Sequence, residues 1–147
     1  MELAQALHEL VGQLDAAAEA VLQEEFGVTH SQLSFLMPLV RQGPLDVSSL
    51  AATNRVSTAA VSKRIGWFVE RDLVRADHPA GDAKRVLLAL TPQGRRLARA
   101  ASGRLAARLE DLLAPWPEER RVVFLQLVQE VTEAIRVSDE AAPKERT

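Results

Sequence analysis

The stretch from Val56 to Val74, VSTAAVSKRIGWFVERDLV, begins with small and hydroxyl-bearing residues and turns basic about one helical turn later. Hydroxyl groups can hydrogen-bond several bases, and lysine or arginine favours the O6 and N7 atoms of guanine. If this stretch is a helix, the positive end of its dipole also favours phosphate. The pattern indicates contact with a polyanion such as DNA; the alternative is an ordinary amphipathic helix with a solvated polar face. The residues with this chemistry are Ser57, Thr58, Ser62, Lys63 and Arg64.

Apolar spacing places those side chains on the outer face of a helix. Val61, Ile65 and Phe68 follow one another at spacings of four and three, which predicts the buried face of a helix capped by Ser57. Thr58 and Arg64 then lie on the flanks. The outward positions are Ala59, Ser62, Lys63, Gly66 and Glu70.

A short helix precedes this stretch and a hairpin follows it. Asp46 is predicted to cap a helix over Val47 to Thr53, and residues 54–56 form a tight turn. Leu73 to Asp77 and Arg85 to Leu90 are predicted strands, joined by the polar loop DHPAGDAK. This order predicts a winged helix-turn-helix, whose second helix lies in the DNA major groove.

The N-terminal part of the chain is predicted to be helical. Apolar residues recur at spacings of three and four from Leu3 to Val21, which predicts a helix over Glu2 to Glu25. The next helix is capped by Thr29 or by Ser31, and the Gly-Pro pair at residues 43–44 ends it.

The C-terminal part is also predicted to be helical. Thr91 and Pro92 are a helix start, and that helix reaches about Leu113. A last helix has one apolar face, and from Ala141 we expect a frayed end. The fold class is therefore mostly α with a small β-hairpin. The apolar face of the last helix consists of Phe124, Val128, Val131 and Ile135.

Charge is distributed unevenly along the 147 residues. The whole chain has a formal net charge of -2. The span from Arg41 to Arg104 holds 12 basic and 5 acidic residues, so it is positive while both ends are acidic. A basic segment of this kind is expected where a protein meets nucleic acid. The alternative is a solvated surface whose charges happen to segregate.

Composition argues against several other classes of protein. The chain has no cysteine, which excludes disulfides, thiolate zinc sites and a thiol sensor. The three histidines are isolated, so we expect no metal and no cofactor. Glycine-rich phosphate loops, HExxH and G-x-S-x-G are missing, so we do not expect an enzyme. Without a secretory signal or a long apolar segment, we expect a soluble cytoplasmic protein.

The ordered set of these motifs resembles the MarR family of bacterial transcription regulators. The matching segments are VSSLAATNRVSTAAVSKRIGWFVERDLVRAD, the loop residues DAK, and VLLALTPQGRRL. Leu90, Thr91 and Gly94 match the Leu-Thr and the downstream glycine that follow the wing in family members. The motif part covers about 47–97, and the flanking helices agree in order and length.

The resemblance implies a single MarR-like domain over 1–147. Its winged-helix, DNA-binding lobe would span about 29–91, and helices at about 1–25 and 92–138 would form a homodimer. The alternative for their apolar faces is an intramolecular core. The implied dimer interface contains Leu3, Leu7, Leu10, Phe124, Val128 and Val131.

The resemblance also implies how DNA is contacted. Family members place the recognition helix in the major groove and the wing tip in the minor groove. The matching positions in the helix are Ser57, Thr58, Ser62, Lys63 and Arg64. The family wing usually has Asp, any residue, Arg, whereas this chain has Asp82-Ala83-Lys84 followed by Arg85. Either Lys84 or Arg85 is then the residue that enters the minor groove.

Two glycines that are common in the family are replaced here. Arg55 stands at the glycine of the helix-turn-helix turn, and we expect the neighbouring Asn54 to take the left-handed backbone conformation. Asp72 stands where a glycine usually precedes the strand.

The function implied is that of a sequence-specific regulator, most simply a repressor, on a pseudo-palindromic operator. Many relatives release DNA when a small aromatic or anionic effector binds between the dimer helices and the winged lobe. The alternative is a winged-helix dimer that acts as a protein-interaction module without reading DNA, because fold does not fix function.

Overall fold

A computed structural model describes residues 2–82 and 84–141 of the chain. Over these residues the chain is mostly helical, with three short strands, as the sequence predicts. Ala83 and the part of the predicted frayed end after Ala141 lie outside the described residues. The elements are α1 (Leu3–Phe26), α2 (His30–Gln42), β1 (Leu45–Asp46), α3 (Val47–Asn54), α4 (Thr58–Glu70), β2 (Val74–Asp77), β3 (Leu87–Leu90), α5 (Pro92–Leu113) and α6 (Glu118–Ala141).

The chain divides into two compact units at Ala106 and Ala107, within α5. The first unit contains α1 to α4, the three strands and the beginning of α5. The second contains the end of α5 together with α6. No helix of the described residues is long and apolar enough to cross a membrane.

Aromatic stacking and aliphatic packing form the core of the first unit. The rings of Phe35 on α2 and Phe68 on α4 stack with centroids 4.3 Å apart. Leu36, Leu50 and Val61 are fully buried around them. Each such side chain contributes about 1.5–3 kcal/mol when it leaves water. This core fixes α4 against α2 and α3, so the opposite face of α4 is left to solvent.

Side-chain caps define where α2, α3 and α4 begin. The Thr29 side chain accepts the N–H of Gln32, and the Gln32 side chain accepts the N–H of Thr29 at 2.8 Å. This capping box decides between Thr29 and Ser31 in favour of Thr29. Asp46 caps α3 and Ser57 caps α4, as predicted.

The hairpin belongs to a three-stranded antiparallel sheet with the order β1-β3-β2. β1 was not predicted from the sequence; its two residues pair with Leu88 and Leu87 of β3. The predicted strands are too long at their starts, by one residue for β2 and by two for β3. Arg85 lies in the loop and not in β3, because its N–H is donated to the carboxylate of Asp82 at 3.2 Å and not to a neighbouring strand.

The helix-turn-helix turn differs from the expectation at one residue. Asn54 remains helical, and Arg55 adopts the left-handed conformation with φ 54° and ψ 41°. The prediction for Asn54 is therefore wrong. The N–H of Arg55 is donated to Ala52 and that of Val56 to Ala51, which closes the end of α3 around Arg55. Asp72, at the other replaced glycine, also has a positive φ of 54°.

The start of α5 is joined closely to the start of β2. The Thr91 hydroxyl accepts the N–H of Gly94 at 2.9 Å and donates to the carbonyl of Asp72. The Thr91 N–H is donated to the carbonyl of Leu73 at 3.1 Å. Gly94 is buried there, and a Cβ on it would overlap the Leu73 carbonyl oxygen. Close packing against the backbone of Asp72 and Leu73 thus explains why Thr91 and Gly94 stand at these positions.

Candidate nucleic-acid interface

The exposed face of α4 is the one that the sequence predicts. Val61 and Phe68 are buried and Ile65 is half-buried against the core. All predicted outward residues are exposed to solvent. Among them are one hydroxyl, one cation, one carboxylate and one glycine. The exposed residues are Ala59, Ser62, Lys63, Gly66 and Glu70.

The N-terminal end of α4 presents hydroxyl groups and free backbone donors. Ser57 accepts the N–H of Ala60 at 3.1 Å, which leaves its own O–H available as a donor. Thr58 begins the helix and is exposed. The partial positive charge of a helix N-terminus favours a phosphate at this end. These two residues therefore fit the start of a helix that enters a DNA groove.

The basic pair on α4 is divided between two environments. A guanidinium nitrogen of Arg64 donates to the hydroxyl of Ser31 on α2 at 3.0 Å. Lys63 makes no hydrogen bond or ion pair within 2–82 and 84–141, and its side chain is exposed. Lys63 is thus free for an external anion, whereas Arg64 is held beside the start of α2.

Trp67 follows one turn after Lys63 and is half-buried. Its ring meets Phe68 edge-on, with centroids 5.0 Å apart. The guanidinium of Arg71 lies 4.0 Å above its centroid. Trp67 lines a groove of about 550 Å³ with Ser31, Lys63 and Arg64. Trp67 thus packs partly against its neighbours and keeps part of its ring exposed.

The wing loop, from His78 to Val86, places two cations next to each other. One oxygen of Asp82 accepts the backbone N–H of Lys84 at 3.1 Å and that of Arg85 at 3.2 Å. The Arg85 guanidinium lies 3.3 Å from the carboxylate of Asp46. The Lys84 side chain is exposed and has no partner among the described residues.

Asp46 is a residue whose double role sequence analysis missed. Its other oxygen accepts the N–H of Ser49 at 2.8 Å, which caps α3. That backbone hydrogen bond, followed by the Ser49 hydroxyl and the charge of Arg85, holds the pKa of the Asp46 carboxyl below its ordinary value. The capping pattern was visible in the sequence, but the pairing with Arg85 spans 39 positions and left no local signal.

The predicted dimer-interface residues lie on two helices. Leu3, Leu7 and Leu10 are exposed on α1. On α6, Val128 and Val131 are exposed as well. Each of these five side chains leaves apolar surface exposed to solvent on its own helix. Phe124 is half-buried, with its ring 5.6 Å from that of Trp116.

A cavity of about 420 Å³ lies between α2, the end of α3 and the middle of α5. Arg41 and His30 lie on its α2 wall. Asn54 lines it too, and the buried side-chain nitrogen of Asn54 has no hydrogen-bond partner among the described residues. No pattern in the sequence indicates this cavity, because its walls come from residues far apart in the chain.

Comparison with known proteins finds similarity in structure only. No protein-family model matches the chain, and no curated protein matches it in sequence. A MarR family protein from Bacillus stearothermophilus superposes with a TM-score of 0.82 at 19% identity, over 91% of this chain and 93% of that one. MepR, a transcription regulator of the Staphylococcus aureus multidrug efflux pump MepA, superposes with a TM-score of 0.76 at 17% identity, over 92% of this chain and 99% of that one.

A third similar structure contains a bound ligand. The PcaV transcriptional regulator from Streptomyces coelicolor, in complex with its natural ligand, superposes with a TM-score of 0.67 at 24% identity, over 92% of this chain and 97% of that one. Together with the α3–turn–α4 arrangement and the β2–β3 hairpin, these matches define a winged helix-turn-helix protein. More particularly, the chain has the MarR-type winged-helix fold.

Proposed function

We propose that the chain is a sequence-specific, DNA-binding transcriptional regulator. The observation that carries the proposal is the exposed face of α4, where two hydroxyls at the helix start lead to a Lys63 without an internal partner among the described residues. Recognition helices enter the major groove with their N-terminal residues first. Ser57, Thr58, Ser62 and Lys63 would contact bases or phosphates, and Arg64 would support that surface through its hydrogen bond to Ser31 of α2.

The test is binding of the purified chain to its own upstream DNA and to a scrambled duplex, at two salt concentrations. We expect the upstream DNA to bind about 10³-fold or more tightly than the scrambled duplex. Affinity should also fall steeply with salt, because lysine and arginine release counterions when they reach phosphates. Weak, equal binding to both duplexes would favour the interaction-module alternative.

We propose further that the regulator works as a homodimer and represses transcription. Two exposed apolar faces, on α1 and α6, need cover in water, and a second copy of the chain supplies matching faces. A dimer would present two α4 helices to half-sites about one helical turn apart on a pseudo-palindrome. Repression follows when such a site overlaps a promoter.

A matched pair of valines on α6 tests the dimer. Val131 and Val137 are both 50% exposed. At about 100° per residue they lie roughly 120° apart around the helix, and only Val131 shares the face of Phe124 and Val128. We expect Val131→Glu to weaken dimerisation at least about tenfold, since each dimer would bury two carboxylates. Val137→Glu should leave it unchanged; equal behaviour in sedimentation would contradict this interface.

We propose that a small aromatic or anionic effector binds in the cavity between α2, α3 and α5 and that this binding causes the protein to release DNA. Support comes from the chemistry of its wall, where Arg41 offers a cation and Asn54 a buried amide nitrogen without a partner among the described residues. The cavity also lies next to the turn that carries α4. An effector would favour a spacing of the two lobes that no longer matches the groove repeat.

A further inference from the structure

The two neighbouring cations of the wing are in different chemical situations. Arg85 is already paired, with a guanidinium nitrogen 3.3 Å from an oxygen of Asp46. The side chain of Asp46 is 26% exposed and that of Arg85 is 52% exposed. Lys84 has an exposed side chain without a partner in 2–82 and 84–141. Adjacent residues of like charge are therefore not equivalent here.

Asp46 connects the wing to the first helix of the helix-turn-helix. One carboxylate oxygen accepts the N–H of Ser49 and so caps α3, while the other meets Arg85. The backbone of Asp46 also pairs with Leu87, two residues beyond Arg85, in the β1–β3 ladder. The base of the wing is thus joined to α3 by both a side-chain pair and a strand pair.

Electrostatics favours keeping the Arg85–Asp46 pair when a polyanion approaches. Moving the guanidinium to DNA would leave a carboxylate uncompensated beside phosphates of the same sign. Lys84 carries no such cost, because it gives up no partner among the described residues. The backbone N–H groups of Lys84 and Arg85 are both donated to the carboxylate of Asp82, which holds the two residues side by side.

We propose that the two residues have separate roles. Arg85 is a positioning residue that ties the wing to α3 through Asp46, and Lys84 is the wing residue that contacts DNA. The role of Lys84 rests on the proposed DNA-binding function. The tie between Arg85 and Asp46 does not, and it is tested without DNA.

The salt dependence of DNA binding separates contact from positioning. A cation that reaches DNA adds about 0.9 per protomer to the slope of log K against log salt. Lys84→Ala should therefore lower the slope by roughly 1.8 for a dimer. Arg85→Ala should weaken binding but keep the slope, because a guanidinium paired with Asp46 in both states releases no counterion. An equal decrease in slope for both variants would overturn the division of roles.

Amide hydrogen exchange on the free protein tests the tie. Asp46→Asn keeps a capping side chain at the start of α3 but removes the charge that faces Arg85. We expect Arg85→Ala and Asp46→Asn each to speed exchange in β1 and the first turn of α3 about two- to fivefold, the range of an exposed ion pair. The double variant should exchange no faster than the faster single variant.

Two controls complete the experiment. Lys84→Ala should leave exchange in β1 and α3 unchanged. Arg75→Ala removes an arginine that pairs with Asp77 within β2 at 3.0 Å, and it should also leave exchange there unchanged. The proposed link between Arg85 and Asp46 would be overturned if Arg85→Ala left the exchange rates unchanged. It would also be overturned if the accelerations of the two single variants multiplied in the double variant. Absence of any DNA binding would overturn the role of Lys84 together with the proposed function, whereas the exchange result decides the tie alone.

Discussion

A Lys63→Glu protein should bind the upstream DNA at least about 100-fold more weakly than the wild type. Lys63 is an exposed cation of α4 without a partner among the described residues, so the substitution brings a carboxylate to the place where a phosphate or base edge would lie. A dimer carries the change twice, once in each half-site. The measurement is the dissociation constant for the upstream duplex at fixed salt.

The control for Lys63→Glu is the same charge change on another helix. Arg96→Glu alters an exposed residue of α5 and should retain most of the affinity. Both variants should keep the wild-type melting temperature and sedimentation behaviour, because neither side chain belongs to the core. Wild-type affinity in Lys63→Glu would show that α4 is not the recognition helix. An equal loss of affinity in Arg96→Glu would show that the effect comes from the change in net charge and not from the position of Lys63.

Gly94→Ala should destabilise the fold by about 3 kcal/mol or more, which is large for a single methyl group. The added Cβ would overlap the carbonyl oxygen of Leu73 and lie 2.8 Å from its carbonyl carbon. That carbonyl also accepts the N–H of Thr91, so it cannot move without a loss of hydrogen bonding. The measurement is the free energy of unfolding in urea, compared with the wild type.

Gly103→Ala is the matched control, because it makes the same substitution within the same helix. A Cβ at Gly103 would have nothing within 4 Å. We expect the free energy of unfolding of this variant to rise by up to about 1 kcal/mol, since alanine loses less backbone entropy than glycine on forming a helix. Equal stability of the two variants would mean that α5 does not approach β2 closely at Gly94.

Local signals in the sequence were enough to place the helices of the site. The caps Asp46 and Ser57 were identifiable and Thr29 was one of two candidates, because a short polar side chain just before an apolar helical repeat is typical of a helix start. The spacing of Val61 and Phe68 also defined the buried face of α4. The outward face follows from these two facts, and with it the position of Lys63.

Features that depend on distant residues could not be predicted in this way. β1 has only two residues, too few for any periodicity, and it forms because β3 provides a partner. Asn54 tolerates a left-handed backbone in general, but α3 continues one residue further and gives that conformation to Arg55. The partner of Arg85 lies 39 positions away in a different element, so no local pattern could indicate their pairing.

The packing of Trp67 gives α4 an optical property. The chain has two tryptophans, and Trp67 stands on α4 between the ring of Phe68 and the guanidinium of Arg71. Trp116, the other one, lies in the second unit beside Phe124. A Trp116→Phe protein would therefore emit from α4 alone. Its fluorescence would follow a ligand arriving at that helix without any attached dye.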